Sequence, residues 1–263
     1  AKPSRRERED IPHHLIDVVT PLGEFSAGEF ARLARQAIPA IADRGRLPVV
    51  AGGTGFYLKA LIDGLVEGPQ RDEEIRERLL QVERRHSGGL HRILRRWDPA
   101  AALRIHASDV QKLVRALELI LLEREPLTRV HERPRLGASE FQMIQIGLDP
   151  PRQALYTRLD ARAEAMWQGG LIEETRELLA AGVPRTARPF GAIGYKQALA
   201  VIEGRMEPAG ALAEMQRDTR RYAKRQWTWF RRDPRVLWIK DFGDSTGAFP
   251  SVVRYLYKRS LFF

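Results

Sequence analysis

The sequence predicts an α/β protein, a parallel sheet core carrying an all-helical insertion. Two observations place the core. Residues 26–58 run helix, short apolar strand, glycine-rich turn, helix, and two further strand-like runs, Phe141–Gly147 and Val236–Ile239, return far downstream. A third observation places the insertion. From Gly68-Pro69 to about Pro134 the chain is charged, helical in period and free of convincing strands.

Each element has a local reason. Ser26 takes the N-cap of a helix over 26–44, with Glu29 at the capping-box position and Phe30, Leu33, Ala34, Ile38 and Ile41 at helical spacing. Gly45 stops it. Leu47-Pro-Val-Val-Ala51 reads as a short buried strand that enters Gly52-Gly-Thr-Gly55 and a helix from Phe56. The insertion holds four helical patterns, Glu73–Arg85, Leu90–Trp97, Ala100–Ile105 and Asp109–Glu123, the last with an apolar stripe of Leu113, Leu117 and Leu121. Beyond the strand at 141–147, helices start near Arg152, Leu171 and Tyr195, and a terminal helix follows Asp241.

With 263 residues the chain can bury a sizeable core. Its net charge is +10, and Arg far outnumbers Lys, which favours an anionic partner met by planar, bidentate donors. No apolar run approaches membrane-spanning length, so no membrane partner is expected. The absence of Cys excludes disulfides, zinc–thiolate sites and a thiol nucleophile, and agrees with a reducing cytoplasm.

The charge concentrates near the C-terminus. Arg217 to Arg232 holds seven cations, one acid and four aromatics. On a helix the seven cations fall within an arc of about 140°, leaving Tyr222, Ala223, Trp229 and Phe230 mostly on the other side, available to a core. Such a row suits a phosphate backbone; it reads equally as a solvated basic face. Other constellations also keep two readings. Gly52-Gly-Thr-Gly55 can turn backbone N–H groups towards an anion, with Thr54 offering a hydroxyl, or serve only as a tight turn. It lacks the Gly-Lys-Ser/Thr of a P-loop. His13-His14 point to opposite faces of an extended segment and have no further ligands at a supporting spacing, so no metal site is expected. Gln111, Lys112 and Arg115 open a helix that can meet RNA or water. Arg158 and Arg162, one turn apart, can clamp a diphosphate or pair with Asp160, Glu164 or Glu174. Tyr195, in Pro189-Phe-Gly-Ala-Ile-Gly-Tyr-Lys196, can stack on a base or plug the core.

Taken together, Ala1-Lys-Pro-Ser4, Pro12-His-His-Leu-Ile-Asp17, Gly52-Gly-Thr-Gly-Phe-Tyr-Leu58, Asp98-Pro99, Arg115-Ala-Leu-Glu118, Ile193-Gly-Tyr-Lys196 and Thr219-Arg-Arg-Tyr-Ala-Lys-Arg-Gln-Trp-Thr-Trp229 resemble, in order, the motifs of the tRNA dimethylallyltransferases (tRNA isopentenyltransferases). The resemblance covers essentially the whole chain. It implies a P-loop-NTPase-like parallel-sheet core over 1–67 and 136–263, and a helical insertion over 68–135 that contacts the anticodon stem-loop. It implies transfer of a dimethylallyl group from dimethylallyl diphosphate to N6 of the adenosine 3′ of the anticodon, flipped out of its stack.

By the same resemblance Arg162 contacts the diphosphate and stabilises its departing charge. The positions matching tRNA contacts are Thr54, Arg76, Gln111, Lys112, Leu113, Val114 and Arg115, then Gly191, Ala192, Ile193, Gly194, Tyr195 and Lys196, then Lys224, Arg225, Gln226, Trp227, Thr228, Trp229, Phe230 and Arg231. Mg2+ is implied, carried by the diphosphate rather than by protein ligands, and the expected form is a cytoplasmic monomer. The family's P-loop and general-base Asp lie upstream of the position matching Ala1. A chain beginning there is expected to be inactive by itself and to be part of a longer protein. The alternative is a non-catalytic RNA-binding fragment. A small-molecule kinase would have no use for the cationic helix.

Overall fold

The structure is a computed structural model that describes residues 8–9, 11–136 and 141–258; the Ala1–Ser4 motif lies outside them. The chain divides into two compact units, Ala60–Glu140 and the remainder, Ala1–Lys59 with Phe141–Phe263.

In the larger unit, α1 (Ala27–Ala42) starts where expected: the Glu29 N–H donates to Ser26 Oγ at 3.1 Å. The reciprocal half of the capping box is replaced, because the Glu29 carboxylate turns to Arg32 at 2.6 Å. Gly45 then adopts φ 67°, a left-handed turn that ends the segment. Phe25 and Phe30 pack against Tyr57 of α2 (Gly55–Asp63), ring centroids 6.2 and 5.4 Å away. The expected strand at Leu47–Ala51 is not formed. The segment is irregular, and Leu47, Val49 and Val50 are 63%, 79% and 43% exposed. A strand exists through its ladder, and no described segment pairs with this one.

The remaining strands form as predicted in type. β3 (Gln145–Leu148) and β4 (Val236–Ile239) pair in parallel, with Gln145 opposite Val236 and Leu148 opposite Ile239. Between them lie α8 (Arg152–Met166), a π turn (Trp167–Leu171), α9 (Ile172–Ala180), a 3-10 turn (Arg188–Gly191), α10 (Tyr195–Ile202) and the 23-residue α11 (Pro208–Phe230). α12 (Ala248–Lys258) follows β4. Ala163, Leu171, Ala198 and Met215 are the buried centre joining α8, α10 and α11. Gly194 has φ 99°, and a Cβ there would stand 3.1 Å from Leu171, so both conformation and space require glycine.

The smaller unit opens and closes on an antiparallel ladder of β1 (Leu65–Val66) and β2 (Arg135–Leu136). Between these strands are α3 (Glu73–Arg85), α4 (Gly89–Trp97), α5 (Pro99–Arg104), α6 (Val110–Glu123) and the short α7 (Leu127–Glu132), the last unforeseen. Leu79, Leu90, Leu94, Leu113 and Leu117 are the largest pieces of its core. Leu121, expected on the same stripe, is 41% exposed, whereas Leu119 is buried.

Asp98 explains the α4–α5 corner. Only 3% exposed, it accepts the Ala101 N–H at 2.9 Å and the Thr128 N–H at 2.8 Å, so one carboxylate caps α5 and docks α7. Burial opposes its charge, but these backbone donors outweigh the burial and hold its pKa below the usual carboxylate value.

Candidate nucleic-acid interface

α11 carries the cationic row as anticipated, and its last turns are held on two sides. On one side Tyr222, Gln226 and Trp229, spaced i, i+4, i+7, lie against the glycine-rich turn. Thr54 Oγ1 is 3.4 Å from the Tyr222 hydroxyl. A Cβ at Gly53 would meet Gln226 Nε2 at 2.1 Å, and one at Gly55 would meet Trp229 Nε1 at 2.1 Å. Neither glycine, nor Gly52, has positive φ. Gly55 is therefore needed for close approach of the Trp229 ring, and Gly53 leaves room for the Gln226 amide, a third reading beside the anion cradle and the tight turn. Tyr222 and Trp229 accordingly do not enter a core; they are 38% and 45% exposed and lie against Thr54 and Gly55 of the turn.

On the other side stands Asp149, which the sequence reading overlooked. It follows β3 directly, and its own N–H continues the ladder by donating to the Ile239 carbonyl at 2.7 Å. Its carboxylate accepts Trp227 Nε1–H at 2.9 Å, Arg231 at 3.1 Å and the Lys240 ammonium. Arg231 also stacks on the Trp227 ring at 3.7 Å. Burial pushes the Asp149 pKa up, but Lys240 and Arg231 outweigh it and keep the group below its ordinary value. An Asp directly after a strand and before Pro-Pro was the only sequence signal.

Between these two flanks, Arg221, Lys224, Arg225, Thr228, Trp229 and Arg232 line an open cleft of about 450 Å3. Lys224, Arg225 and Arg232 form no ion pair with a described residue, and Arg225 lies over the Tyr222 ring at 5.6 Å. Thr228 directs its hydroxyl back to the Lys224 carbonyl at 2.9 Å, and Phe230 is half-buried at the helix end. Further up the helix the charge is spent internally: Arg220 pairs with Asp160 at 2.5 Å.

The other candidate residues sort as follows. Arg158 is neutralised by Asp244, both carboxylate oxygens at 2.8 Å, and stacks on Phe242 at 3.7 Å; the partners expected from spacing, Asp160, Glu164 and Glu174, are engaged elsewhere. Arg162, one turn on, is exposed and makes no ion pair with a described residue. Gly191 and Ala192 are exposed, Ile193 is half-buried, and Lys196 pairs with Glu214 at 3.2 Å. Tyr195 is half-buried. It packs among Ala198 and Leu199, and its hydroxyl donates to Glu174 at 2.6 Å. Burial, reinforced by that acid, pushes its pKa up to about 12. Gln197, 1% exposed, accepts the Gly194 N–H at 2.9 Å and donates to Glu214 and Asp218, fixing the loop before it.

In the smaller unit, Arg76 and Arg115 converge on one fully buried acid, Glu118, at 3.1 and 2.6 Å. Leu113 and Val114 point into the core, 0% and 2% exposed, whereas Gln111 and Lys112 face solvent and the Arg115 side chain is 40% exposed. His13 and His14 are exposed, with His13 Nδ1 2.6 Å from the Ile11 carbonyl. Among the described residues no group of three or more His, Asp or Glu could hold a metal ion, and no helix is long and apolar enough to cross a membrane.

Fold and surface together define an α/β protein with a helical insertion and a cationic, aromatic face suited to a phosphate backbone. Residues 1–233 match the model of the IPP transferase family, and the chain belongs to that family. It is similar to the tRNA dimethylallyltransferase of Solibacter usitatus, 52% identical over 91% of this chain and 78% of that protein, and to that of Koribacter versatilis, 49% identical over 93% and 80%. Among solved structures it resembles the tRNA isopentenylpyrophosphate transferase of Bacillus halodurans, with a TM-score of 0.68 at 34% identity over 99% of this chain and 82% of that one. A eukaryotic dimethylallyltransferase acting on tRNA, 23% identical, shares the fold with a TM-score of 0.78 over 98% and 68% of the two chains.

Proposed function

We propose that the protein transfers a dimethylallyl group from dimethylallyl diphosphate to N6 of the adenosine 3′ of the anticodon in tRNA. The observation that carries this reading is 52% identity, over 91% of the chain, to a protein named for that reaction. In the transfer, the bond from the allylic carbon to the diphosphate oxygen breaks, the bond to N6 forms, and the N6 proton passes to the general-base Asp that the family resemblance places upstream of the position matching Ala1. The negative charge that grows on the departing diphosphate is the quantity a protein can stabilise. Arg162, exposed and without an acidic partner among the described residues, is the group we assign to it, and the neutralised Arg158 is not.

The RNA is met by the row between the Gly-rich turn and Asp149. Lys224, Arg225 and Arg232 supply charge, Thr54 and Trp229 border the same surface, and base identity is read in the single-stranded loop. In this reading Mg2+ enters as part of the diphosphate substrate. A cytoplasmic monomer completes the reading.

The test is to incubate the protein with dimethylallyl diphosphate, Mg2+ and unmodified anticodon stem-loop RNA and to look for N6-dimethylallyladenosine by nucleoside mass spectrometry. Product is expected from the protein that carries the segment bearing the family's P-loop and general-base Asp. Salt-sensitive RNA binding without product would overturn the reading in favour of a non-catalytic RNA-binding protein.

A further inference from the structure

We infer that Asp149 is a positioning residue that fixes the rotation of α11 about its own axis, and so the direction in which its cationic row faces. The inference rests on the proposal that this row meets RNA.

A helix gripped along one flank can roll on that contact; one gripped along two cannot. Trp227 and Trp229 lie about 200° apart around the helix, measured through its cationic face. Trp227, with Arg231 one turn on, is bound to the Asp149 carboxylate. Trp229, with Gln226 and Tyr222 behind it, covers the glycine-rich turn. Arg221, Lys224, Arg225 and Arg232 occupy the arc between, and face the cleft.

Asp149 is itself anchored to the sheet. Its N–H is tied to Ile239, its side chain is 11% exposed, and Lys240, the residue after β4, completes its charge balance. The carboxylate thus transmits the position of the sheet to the helix. Trp227, half-buried, and Arg231, whose side chain is still 47% exposed, are the two donors from α11 that this carboxylate holds. The stakes are geometric. At a side-chain radius of about 5–6 Å, a roll of about 20° displaces a tip by about 2 Å. A charge-assisted hydrogen bond of about 2.8 Å does not survive that displacement.

The experiment uses the full chain with Asp149→Ala and, separately, Trp227→Phe, which removes only the indole donor. Binding of unmodified anticodon stem-loop RNA is followed by fluorescence anisotropy at several salt concentrations, and KM is measured for each substrate. The expected result is a rise of about tenfold in Kd and KM for the RNA in both variants. The salt dependence should become shallower by about one phosphate contact, and KM for dimethylallyl diphosphate should stay unchanged.

A residue with only a structural role would lower Tm without separating the two KM values. That outcome, or an unchanged Kd in Trp227→Phe, overturns the inference, and Trp227→Phe alone decides if Asp149→Ala does not fold. Failure of the functional reading looks different: the unmutated protein would then bind no RNA or form no product.

Discussion

Replacing Gly55 by Ala tests the contact on which the site is built. A Cβ at Gly55 falls 2.1 Å from Trp229 Nε1, 2.2 Å from Cδ1 and 2.6 Å from Cε2, whereas ordinary contact begins near 3.4 Å. The indole must retreat by more than an ångström. Forced overpacking of this kind costs about 1–3 kcal/mol. Two features reduce the cost. Ala suits the first turn of a helix better than Gly, by about 0.5–1 kcal/mol, and Trp229, 45% exposed, has solvent to move into. The net loss is therefore about 1 kcal/mol, a fall in Tm of roughly 2–4 °C for a chain of this size. Gly53→Ala should cost less. Its Cβ meets only the amide end of Gln226, which can swing away, and Gly52→Ala meets nothing within 4 Å. Urea unfolding followed by Trp fluorescence measures all three, and the double variant Gly55→Ala/Trp229→Ala closes a cycle. The reasoning requires the order Gly55 above Gly53 above Gly52 and a coupling of at least about 0.5 kcal/mol between Gly55 and Trp229. An inverted order, or additivity within error, would refute it.

Other expectations follow from the same geometry. Glu118→Ala leaves Arg76 and Arg115 without their shared buried acid and should cost about 3 kcal/mol, read as a lower urea midpoint. Asp98→Ala removes the acceptor of two backbone N–H groups and should cost about 1–2 kcal/mol by the same measurement. Stability should fall on acidification. Asp233 is held at about 2 by the Arg235 guanidinium beside it, and Asp149 is also held low. Because their folded pKa values are depressed, their contributions are present above the unfolded value of 3.8 and are lost as pH falls towards about 2; Asp233→Asn should flatten part of that limb in a series of thermal melts. Arg162→Ala should leave the melting curve nearly unchanged and lower kcat by about 10²–10³. Equal kcat would remove Arg162 from the diphosphate. Charge reversal of Lys224 and Arg225 should abolish RNA binding at physiological salt, whereas wild-type affinity would remove the row from the interface.

The helices were legible in the sequence because each carries its own signals. Ser26, Asp72, Asp98 and Asp109 all accept from the first turn that follows them, and Glu73–Arg85 begins and ends where its charge and period change. The strands were legible only where a partner exists. Val236–Ile239 has β3 beside it, whereas Leu47–Ala51, as apolar and as well placed after a helix, has no described partner and stays irregular. Pairing is a property of two segments, and no local window contains it. The site shows the same division. Periodicity put Lys224 and Arg225 on one face, but the destination of the aromatics depended on what lay across from them. Tyr222 and Trp229 meet the glycine-rich turn rather than core, and Trp227 meets an acid 78 residues away. Asp149 was invisible because its neighbours in sequence say nothing of the three donors that converge on it.

The ladder that closes the smaller unit makes that unit a cassette. Leu65 lies opposite Leu136 and Val66 opposite Arg135, so the chain leaves and re-enters through adjacent antiparallel strands. Antiparallel neighbours can be joined by a two-residue hairpin turn. Everything from Glu67 to Pro134 could therefore be exchanged for a short turn or for another helical module without altering the strands that bear it. A fold with such a seam can acquire, lose or retune a whole layer of contacts by graft, leaving the residues outside it to evolve on their own account.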